Sequence, residues 1–190
     1  MRSATSSSGA FALLLSLAGC GSPAMVEVAV PLPDLPSAGA AMVVFVQPSS
    51  YAENRYFSIY DHTGRFLGDS EPATWFAVQL APGEYEFYSR AQNIAAVRAT
   101  LAPNRTYFVE VAPRPGFLSV RAHLLPIAPR FTTWDERERW LAETRAQRSV
   151  YASSLDREEV ADVIATGQRT LDRYDDEELE RRTLRASDGI

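Results

Sequence analysis

The chain has 190 residues, of which 46% are apolar and 23% are charged, as expected of one ordinary globular domain with extra segments. All 19 basic residues are arginine, and the 24 acidic residues leave a formal net charge of −5. This charge excludes the basic surface that a nucleic-acid-binding protein needs. The single cysteine excludes an internal disulfide, and the composition excludes a collagen-like, wholly disordered or polytopic membrane chain.

The first twenty residues have the three parts of a secretory signal. Arg2 and the α-amino group are positively charged, and residues 10–17 form an apolar run that is shorter than the roughly 20 residues needed to span a bilayer. The run leads into Leu17-Ala18-Gly19-Cys20, which resembles the lipobox of bacterial lipoproteins. This resemblance implies cleavage before Cys20 and attachment of acyl chains, including palmitate, to Cys20. The alternative is a signal peptide that is cleaved elsewhere, with Cys20 as an ordinary small residue.

The position after the predicted lipidation site is Gly21. Lipoproteins that stay in the inner membrane of Gram-negative bacteria tend to carry Asp there. The resemblance therefore implies a lipid-anchored protein of the bacterial cell envelope, in the outer membrane and facing the periplasm. Two or more acyl chains would anchor it stably.

Proline recurs in the segment after the cysteine, at positions 23, 31, 33 and 36. Because proline lacks an amide donor and restricts φ, residues 20–40 are predicted to form an extended tether, with residues 26–30 as a short edge strand. At about 3.1 Å per residue, such a tether could hold the folded part several nanometres from the lipid.

Residues 41–127 show a β pattern throughout, as about seven apolar or alternating runs separated by turn signals. This spacing predicts an antiparallel β-sandwich of transthyretin or immunoglobulin type. Alternation along the runs also predicts which side chains face the core. The predicted core positions are Tyr85, Phe87, Tyr107, Val109, Val111, Leu118, Val120, Ala122 and Leu124.

Two segments in this region resemble a known group of domains. The resemblance is to small bacterial lipoprotein domains of unknown function. It is carried by the turn and strand Ala81-Pro82-Gly83-Glu84-Tyr85 and by residues 101–111. These segments are also similar to transthyretin-like and carboxypeptidase-regulatory-like sandwiches. Pro82, Gly83 and Tyr107 match, whereas Asn104 stands where those domains usually have Gly, and Asn tolerates the left-handed conformation such a turn needs. The resemblance implies a fold and an envelope location but no catalytic residues.

Residues 128–190 are predicted to form a helical extension, which gives the α+β fold class. Helix starts are indicated by an acceptor side chain followed three residues later by Glu, and these pairs are Thr133 with Glu136, Asp156 with Glu159 and Asp175 with Glu178. The extension carries the excess acidity, because residues 131–190 contain 10 Arg and 15 acids. The predicted organisation is a signal peptide over 1–19, a tether over 20–40, a sandwich over 41–127 and an acidic helical extension over 128–190.

The candidates for catalysis and metal binding are weak. Only His62 and His123 could serve as a histidine base, and neither lies near a nucleophile motif. The run Asp175-Asp176-Glu177-Glu178 points in several directions on a helix and is better explained as favourable charge at a helix N-terminus. Because there is also no glycine-rich phosphate loop, the sequence predicts no catalytic residue, no metal and no cofactor.

Aromatic side chains on the sandwich offer the most plausible recognition surface. Tyr56, Tyr60 and Tyr88 are predicted on outward strand faces, with Phe108 on the outward face of another, where exposed rings can bind a sugar or an apolar partner. The favoured interpretation is that the C-terminal helices pack on this face and that Trp134 and Trp140 belong to the same contact.

These observations predict a non-catalytic structural or protein-binding module that is anchored to a membrane by its lipid. An envelope protein is the predicted partner, through the acidic helices or the sheet face beside them. The alternative is a carbohydrate-binding or peptidoglycan-binding module that uses the tyrosines.

Overall fold

The computed structural model describes residues 24–29, 36–51, 55–150 and 153–190. Cys20 and the predicted signal peptide lie outside the described residues. The described strands are β1 (Met25–Glu27), β2 (Ala41–Gln47), β3 (Phe57–Asp61), β4 (Phe66–Ser70), β5 (Thr74–Leu80), β6 (Gly83–Arg90), β7 (Ile94–Leu101), β8 (Arg105–Pro115), β9 (Val120–Ile127), β10 (Arg145–Ser149) and β11 (Thr183–Leu184). The helices are α1 (Arg137–Glu143), α2 (Arg157–Leu171) and α3 (Asp176–Arg181), with 3₁₀ turns at Thr132–Trp134 and Ala186–Asp188.

The strands form two mixed sheets, and with the helices they give an α+β protein. The first sheet has the order β1-β10-β5-β2-β8-β9 and the second has the order β11-β7-β6-β3-β4. The prediction that all strands pair antiparallel is wrong, because β2 pairs parallel with β8, β5 with β10 and β7 with β11. Each parallel pair joins strands that are distant in the chain, and such long connections are what parallel pairing requires.

One hydrophobic core is shared by the facing sides of the two sheets. Phe45 of the first sheet stacks on Phe76 with ring centroids 5.2 Å apart and meets Phe87 of the second sheet edge-on at 5.4 Å. The predicted inward positions Tyr107 and Val109 lie in this core, as do Phe87, Val111, Ala122 and Leu124. Tyr85 and Val120 are partly buried and pack against it, and Leu118 is the exception. Leu118 is exposed because β9 begins only at Val120, and the alternating pattern runs on beyond the strand.

The segment after residue 127 contributes strands as well as helices. β10 lies between β1 and β5 in the first sheet, and β11 pairs with β7 at one edge of the second. The helix predicted from Thr133 is wrong in its start, since α1 begins at Arg137 and Glu136 provides no side-chain cap. The local signal for that start was the Thr133–Glu136 pair, which has the spacing of a capping box. The formation of β10 depends on the open edge of β5, which no local pattern reveals.

The second and third predicted helix starts are confirmed. The Asp156 carboxylate accepts the backbone N–H groups of Glu158 and Glu159, and the Glu159 side chain accepts the N–H of Asp156, so a complete capping box begins α2. Asp175 caps α3 through the N–H of Glu178 at 2.8 Å.

The edge strand predicted over residues 26–30 is present as β1, but it begins one residue earlier and ends at Glu27. It pairs antiparallel with β10, with Met25 opposite Ser149 and Glu27 opposite Gln147. Met25 also contributes its side chain to the shared core. The chain therefore joins the fold at Ala24 and Met25, well before the end of the predicted tether.

Candidate functional site

Two of the three candidate tyrosines are buried beneath helix α2. Tyr60 and Tyr88 lie on the outer face of the second sheet and pack with Val163 and Leu171 of α2. The hydroxyl oxygens of Tyr60 and Ser153 are 2.6 Å apart, and the Tyr88 hydroxyl donates to Glu86. Burial raises the pKa of both phenols, and the Glu86 carboxylate raises that of Tyr88 further.

This burial corrects the expectation that Tyr60 and Tyr88 are exposed for ligand binding. The competing prediction, that the helices pack on this sheet face, is confirmed. The apolar stripe of α2 needs a partner to be stable, and the outward rings of β3 and β6 supply it.

The two tryptophans belong to a different contact from the one predicted. Trp134 and Trp140 pack on the outer face of the first sheet, against a cluster that includes Phe108. The rings of Phe108 and Trp134 are 6.4 Å apart and nearly perpendicular. The Arg137 guanidinium lies 3.9 Å from the Trp134 ring centroid, a cation–π contact. Both sheets are therefore covered on their outer faces by parts of the C-terminal segment.

Tyr56 is the candidate tyrosine that stays accessible, with 43% of its surface exposed. It borders a pocket of about 250 Å³ at the end of the sandwich where β3 begins and β6 ends. Arg90, Ser58 and Gln92 line the same pocket. Arg90 also pairs with Glu159 of α2 at 3.5 Å, so the pocket lies beside the start of that helix. An aromatic ring next to a guanidinium and hydroxyl or amide groups is suited to a polar ligand with an apolar face.

A more apolar groove runs along the first turns of the same helix and shares Leu155 with the first pocket. Its volume is about 500 Å³, and its lining includes Gly64, Phe66, Val160 and Ile164. The β3–β4 turn approaches α2 so closely that a β-carbon at Gly64 would lie 2.9 Å from a methyl group of Val160. The groove therefore marks where the helix crosses the turn.

The two histidines are placed for structural contacts. His62 is exposed in the β3–β4 turn, and its ring lies 5.4 Å from that of Tyr85. His123 is partly buried, with Nδ1 3.4 Å from Nη2 of Arg182. Burial lowers the pKa of His123, and the charges of Arg182 and Arg114 lower it further. His62 shares a pocket with Glu84 and Glu86, whereas the nearest charges to His123 are mainly those of arginines.

The acidic run predicted as a helix N-terminus has that role. Asp175 caps α3, and Glu177 and Glu178 pair with Arg181 and Arg182 at 3.2 and 2.7 Å. Both pairs place the acid four residues before the base, the favoured order on a helix. No group of three or more His, Cys, Asp or Glu side chains suited to a metal ion occurs among the described residues.

A buried cluster of four polar side chains, which the sequence did not predict, lies beside the core. The Ser70 hydroxyl donates to Gln47 at 2.8 Å, and the Gln147 amide donates to Glu71 at 2.8 Å. All four side chains are buried. The one local signal was Gln47 at an inward position of an otherwise apolar strand. Ser70 belongs to β4 of the second sheet, whereas Gln47 and Gln147 belong to β2 and β10 of the first, so packing of the two sheets brings these side chains together.

Comparisons with protein-family models, with curated proteins and with solved structures found no match to this chain. In the part of the chain that the structure describes, no helix is both long enough and apolar enough to cross a membrane.

Proposed function

We propose that this chain is a lipid-anchored protein of the bacterial cell envelope that acts by binding other envelope components and not by catalysis. Support for the anchor comes from the lipobox-like Leu17-Ala18-Gly19-Cys20 at the end of an apolar run. Gly21 at the next position favours the outer membrane.

The short distance along the chain from Cys20 to the fold supports a function close to the membrane. Cys20 lies four positions before Ala24, whose carbonyl accepts the N–H of Val150. Four residues span at most about 14 Å. An acylated Cys20 would therefore hold the folded module near the headgroups, in contrast to the spacer of twenty residues that the prolines predicted.

The proposed partner surface is the exposed, acid-rich side of helices α2 and α3. The apolar stripe of α2 is used in packing on the second sheet, which leaves its charged side to solvent on a rigid support. Asp162, Asp172 and Asp176 are exposed there, and no ion pair to any of them is found among the described residues. The best-suited partner is an envelope protein with a basic surface, which these carboxylates would attract and orient.

Crosslinking in intact envelope, followed by capture of this chain, tests the partner. Truncation of the chain after Arg130 would remove the helices, but it is not a suitable test of this surface because it would also delete β10 and β11 from the sheets. The better variant replaces Asp162, Asp172 and Asp176 by Asn, and the matched control replaces the exposed Arg157, Arg169 and Arg173 of the same segment by Gln. We expect a crosslinked protein that is lost in the aspartate variant and kept in the arginine control. Equal recovery from both variants would contradict the proposed surface.

The anchor has its own test. Cys20→Ala should leave unprocessed precursor that takes up no radiolabelled palmitate, whereas the parent chain should be shortened and labelled. Palmitate incorporation into the Cys20→Ala chain would show that Cys20 is not the lipidation site.

A second candidate function, binding of carbohydrate or peptidoglycan, is supported by the pocket beside Tyr56. Tyr56 and Arg90 could stack on a sugar ring and pair with its acidic substituents. Sedimentation with purified sacculi should then weaken at least tenfold with Tyr56→Ala. Tyr51→Ala, at another exposed tyrosine, is the control and should leave sedimentation unchanged. Unchanged sedimentation of the Tyr56→Ala variant would remove this candidate.

The proposal also includes a relation to transthyretin-like and carboxypeptidase-regulatory-like sandwiches. Two features support it, namely the shared core of two sheets and the turn before β8. Asn104 has φ of 56° in that turn, the left-handed conformation for which Gly is the usual residue at the matching position.

A further inference from the structure

The hairpin of β8 and β9 ends in two large apolar side chains that are almost fully exposed. Pro115 pairs with Val120, and the N–H of Gly116 donates to the carbonyl of Ser119 at 2.8 Å. The two loop residues are therefore Phe117 and Leu118. Phe117 is 95% exposed and Leu118 is 83% exposed, more than any other large hydrophobic residue that the structure describes.

Folding does not account for these two residues. Neither residue has a positive φ, so the backbone of the loop accepts most residue types and does not call for an apolar side chain. The side chains of Phe117 and Leu118 also gain nothing by burial in this fold. Large apolar residues in that position indicate contact with an apolar environment outside the chain.

Two arginines lie just behind the apolar tip. Arg114 of β8 and Arg121 of β9 are directly opposite each other in the register, and both are exposed. Like charges at opposite positions of neighbouring strands destabilise a sheet. Neither guanidinium has a carboxylate within 4.0 Å among the described residues. An external anion at this position would relieve the repulsion.

We propose that the β8–β9 tip enters the interface of an anionic bilayer, with Phe117 and Leu118 among the acyl chains and Arg114 and Arg121 at the lipid phosphates. The arginines lie three residues behind the two loop residues, which corresponds to about 10 Å along a strand. That depth matches the 5–10 Å by which interfacial apolar groups enter a membrane. A bilayer also accepts a protruding tip without needing a complementary pocket, which a protein partner would have to provide.

This membrane contact is separate from the proposed lipid anchor. It depends on the anchor only because the anchor would bring the folded module close to a membrane. The acyl chains on Cys20 would attach the chain to the membrane at one point. The tip would supply a second point of contact, which orients the folded module relative to the bilayer.

A spin label at the tip tests the proposal. Acylation would block the thiol of Cys20, the single cysteine, so Leu118→Cys gives a unique labelling site in the complete, processed chain. Ser187→Cys, at an exposed position near Tyr107 and far from the tip, is the matched control. The labelled proteins are reconstituted into vesicles of neutral lipid, or of neutral lipid mixed with phosphatidylglycerol. The depth of each spin label is then measured from its collision rates with oxygen and with a water-soluble relaxant.

We expect the label at residue 118 to lie below the headgroups in anionic vesicles and the label at residue 187 to remain aqueous. Replacement of Arg114 and Arg121 by Gln should reduce the ratio of inserted to aqueous label about 10- to 30-fold. An aqueous label at 118 in every vesicle, or insertion that is equal with and without the two arginines, would overturn the proposal. A label that is immobilised only when envelope proteins are added would assign the tip to a protein partner instead. The absence of acylation at Cys20 is detected separately. An unmodified Cys20 would take up a second spin label, and mass spectrometry detects that label.

Discussion

Gly167 of α2 lies directly against the ring of Tyr88 of β6. A β-carbon at residue 167 would come within 2.8 Å of Cγ of that ring, and closer still to Cδ1. Tyr88 is fully buried and is held by its hydrogen bond to Glu86, so the ring has no space into which to move. The absence of a side chain at residue 167 therefore sets how closely the helix approaches the sheet.

Gly167→Ala should destabilise the fold, although alanine is the better helix former. The helix propensity gains about 1 kcal/mol, but overpacking against a fixed ring costs about 1–3 kcal/mol. We expect a net loss of about 1 kcal/mol in the free energy of unfolding, and a larger loss for Gly167→Val, both measured by urea denaturation. Gln168→Ala at the exposed neighbouring position is the control and should change little. A more stable Gly167→Ala protein would mean that the helix does not pack as described.

Arg130 joins the end of the described chain to the sandwich. Its guanidinium donates to the Asp188 carboxylate and to the Thr183 carbonyl, and Glu180 lies 3.6 Å away. Arg130→Ala would leave Asp188 buried without its cation. Loss of one partner from a buried pair typically costs about 3–5 kcal/mol.

Because the Arg185 N–H still donates to Asp188, we expect the lower end of this range in Arg130→Ala. The double variant Arg130→Ala, Asp188→Asn should recover part of the loss, since it removes the unpaired charge. Denaturation of the two single variants and the double variant measures the coupling. Additive losses would contradict a direct interaction between the two residues.

His123 should make stability depend on pH near neutrality. Its pKa is lowered below the ordinary value of 6.5 by burial and by the charges of Arg182 and Arg114. The unfolded chain therefore binds this proton more readily than the folded chain. The contribution of neutral His123 to stability is complete above pH 6.5 and is lost as the pH falls from there through the lowered pKa.

His123→Gln should therefore reduce the loss of stability between pH 7.5 and pH 5. Urea denaturation at several pH values compares the variant with the parent, and His62→Gln, at an exposed turn, controls for removal of a histidine in general. A slope unchanged by His123→Gln would assign the pH dependence to other groups.

The capping box at the start of α2 offers a local test of the helix. Asp156→Ala removes the acceptor for the N–H groups of Glu158 and Glu159, both at 2.9 Å. Loss of such a cap costs about 1 kcal/mol. Asp162→Ala, at an exposed position inside the same helix, should cost much less. Equal effects of the two substitutions in thermal unfolding would argue against the cap.

Local patterns in the sequence were sufficient for the elements whose signals are local. Asp156 and Glu159 marked the start of α2 correctly, because a capping box needs only residues three positions apart. Alternation placed Phe87, Tyr107 and Val109 in the core, because one face of each strand is apolar. The same method failed at Leu118, where the alternation continues past the end of the strand into a loop.

Parts of the candidate site depended on which elements pack together. Tyr60 and Tyr88 lie on the outward faces of their strands, where side chains are exposed unless another element covers them. They are buried because α2 packs on that face. Arg145–Ser149 forms a strand because β5 and β1 leave a place between them.

By itself, the sequence determined the lipobox-like Cys20, the β-rich composition of the central region and the positions of helices α2 and α3. The tertiary structure decided the mixed pairing of the sheets, the early entry of the chain at Met25, the burial of two tyrosines and the exposure of Phe117 and Leu118. The physical reason is the separation along the chain of the residues that take part in each interaction. Capping and alternation act between neighbours in the chain, whereas burial and strand pairing depend on surfaces contributed by residues far away in sequence.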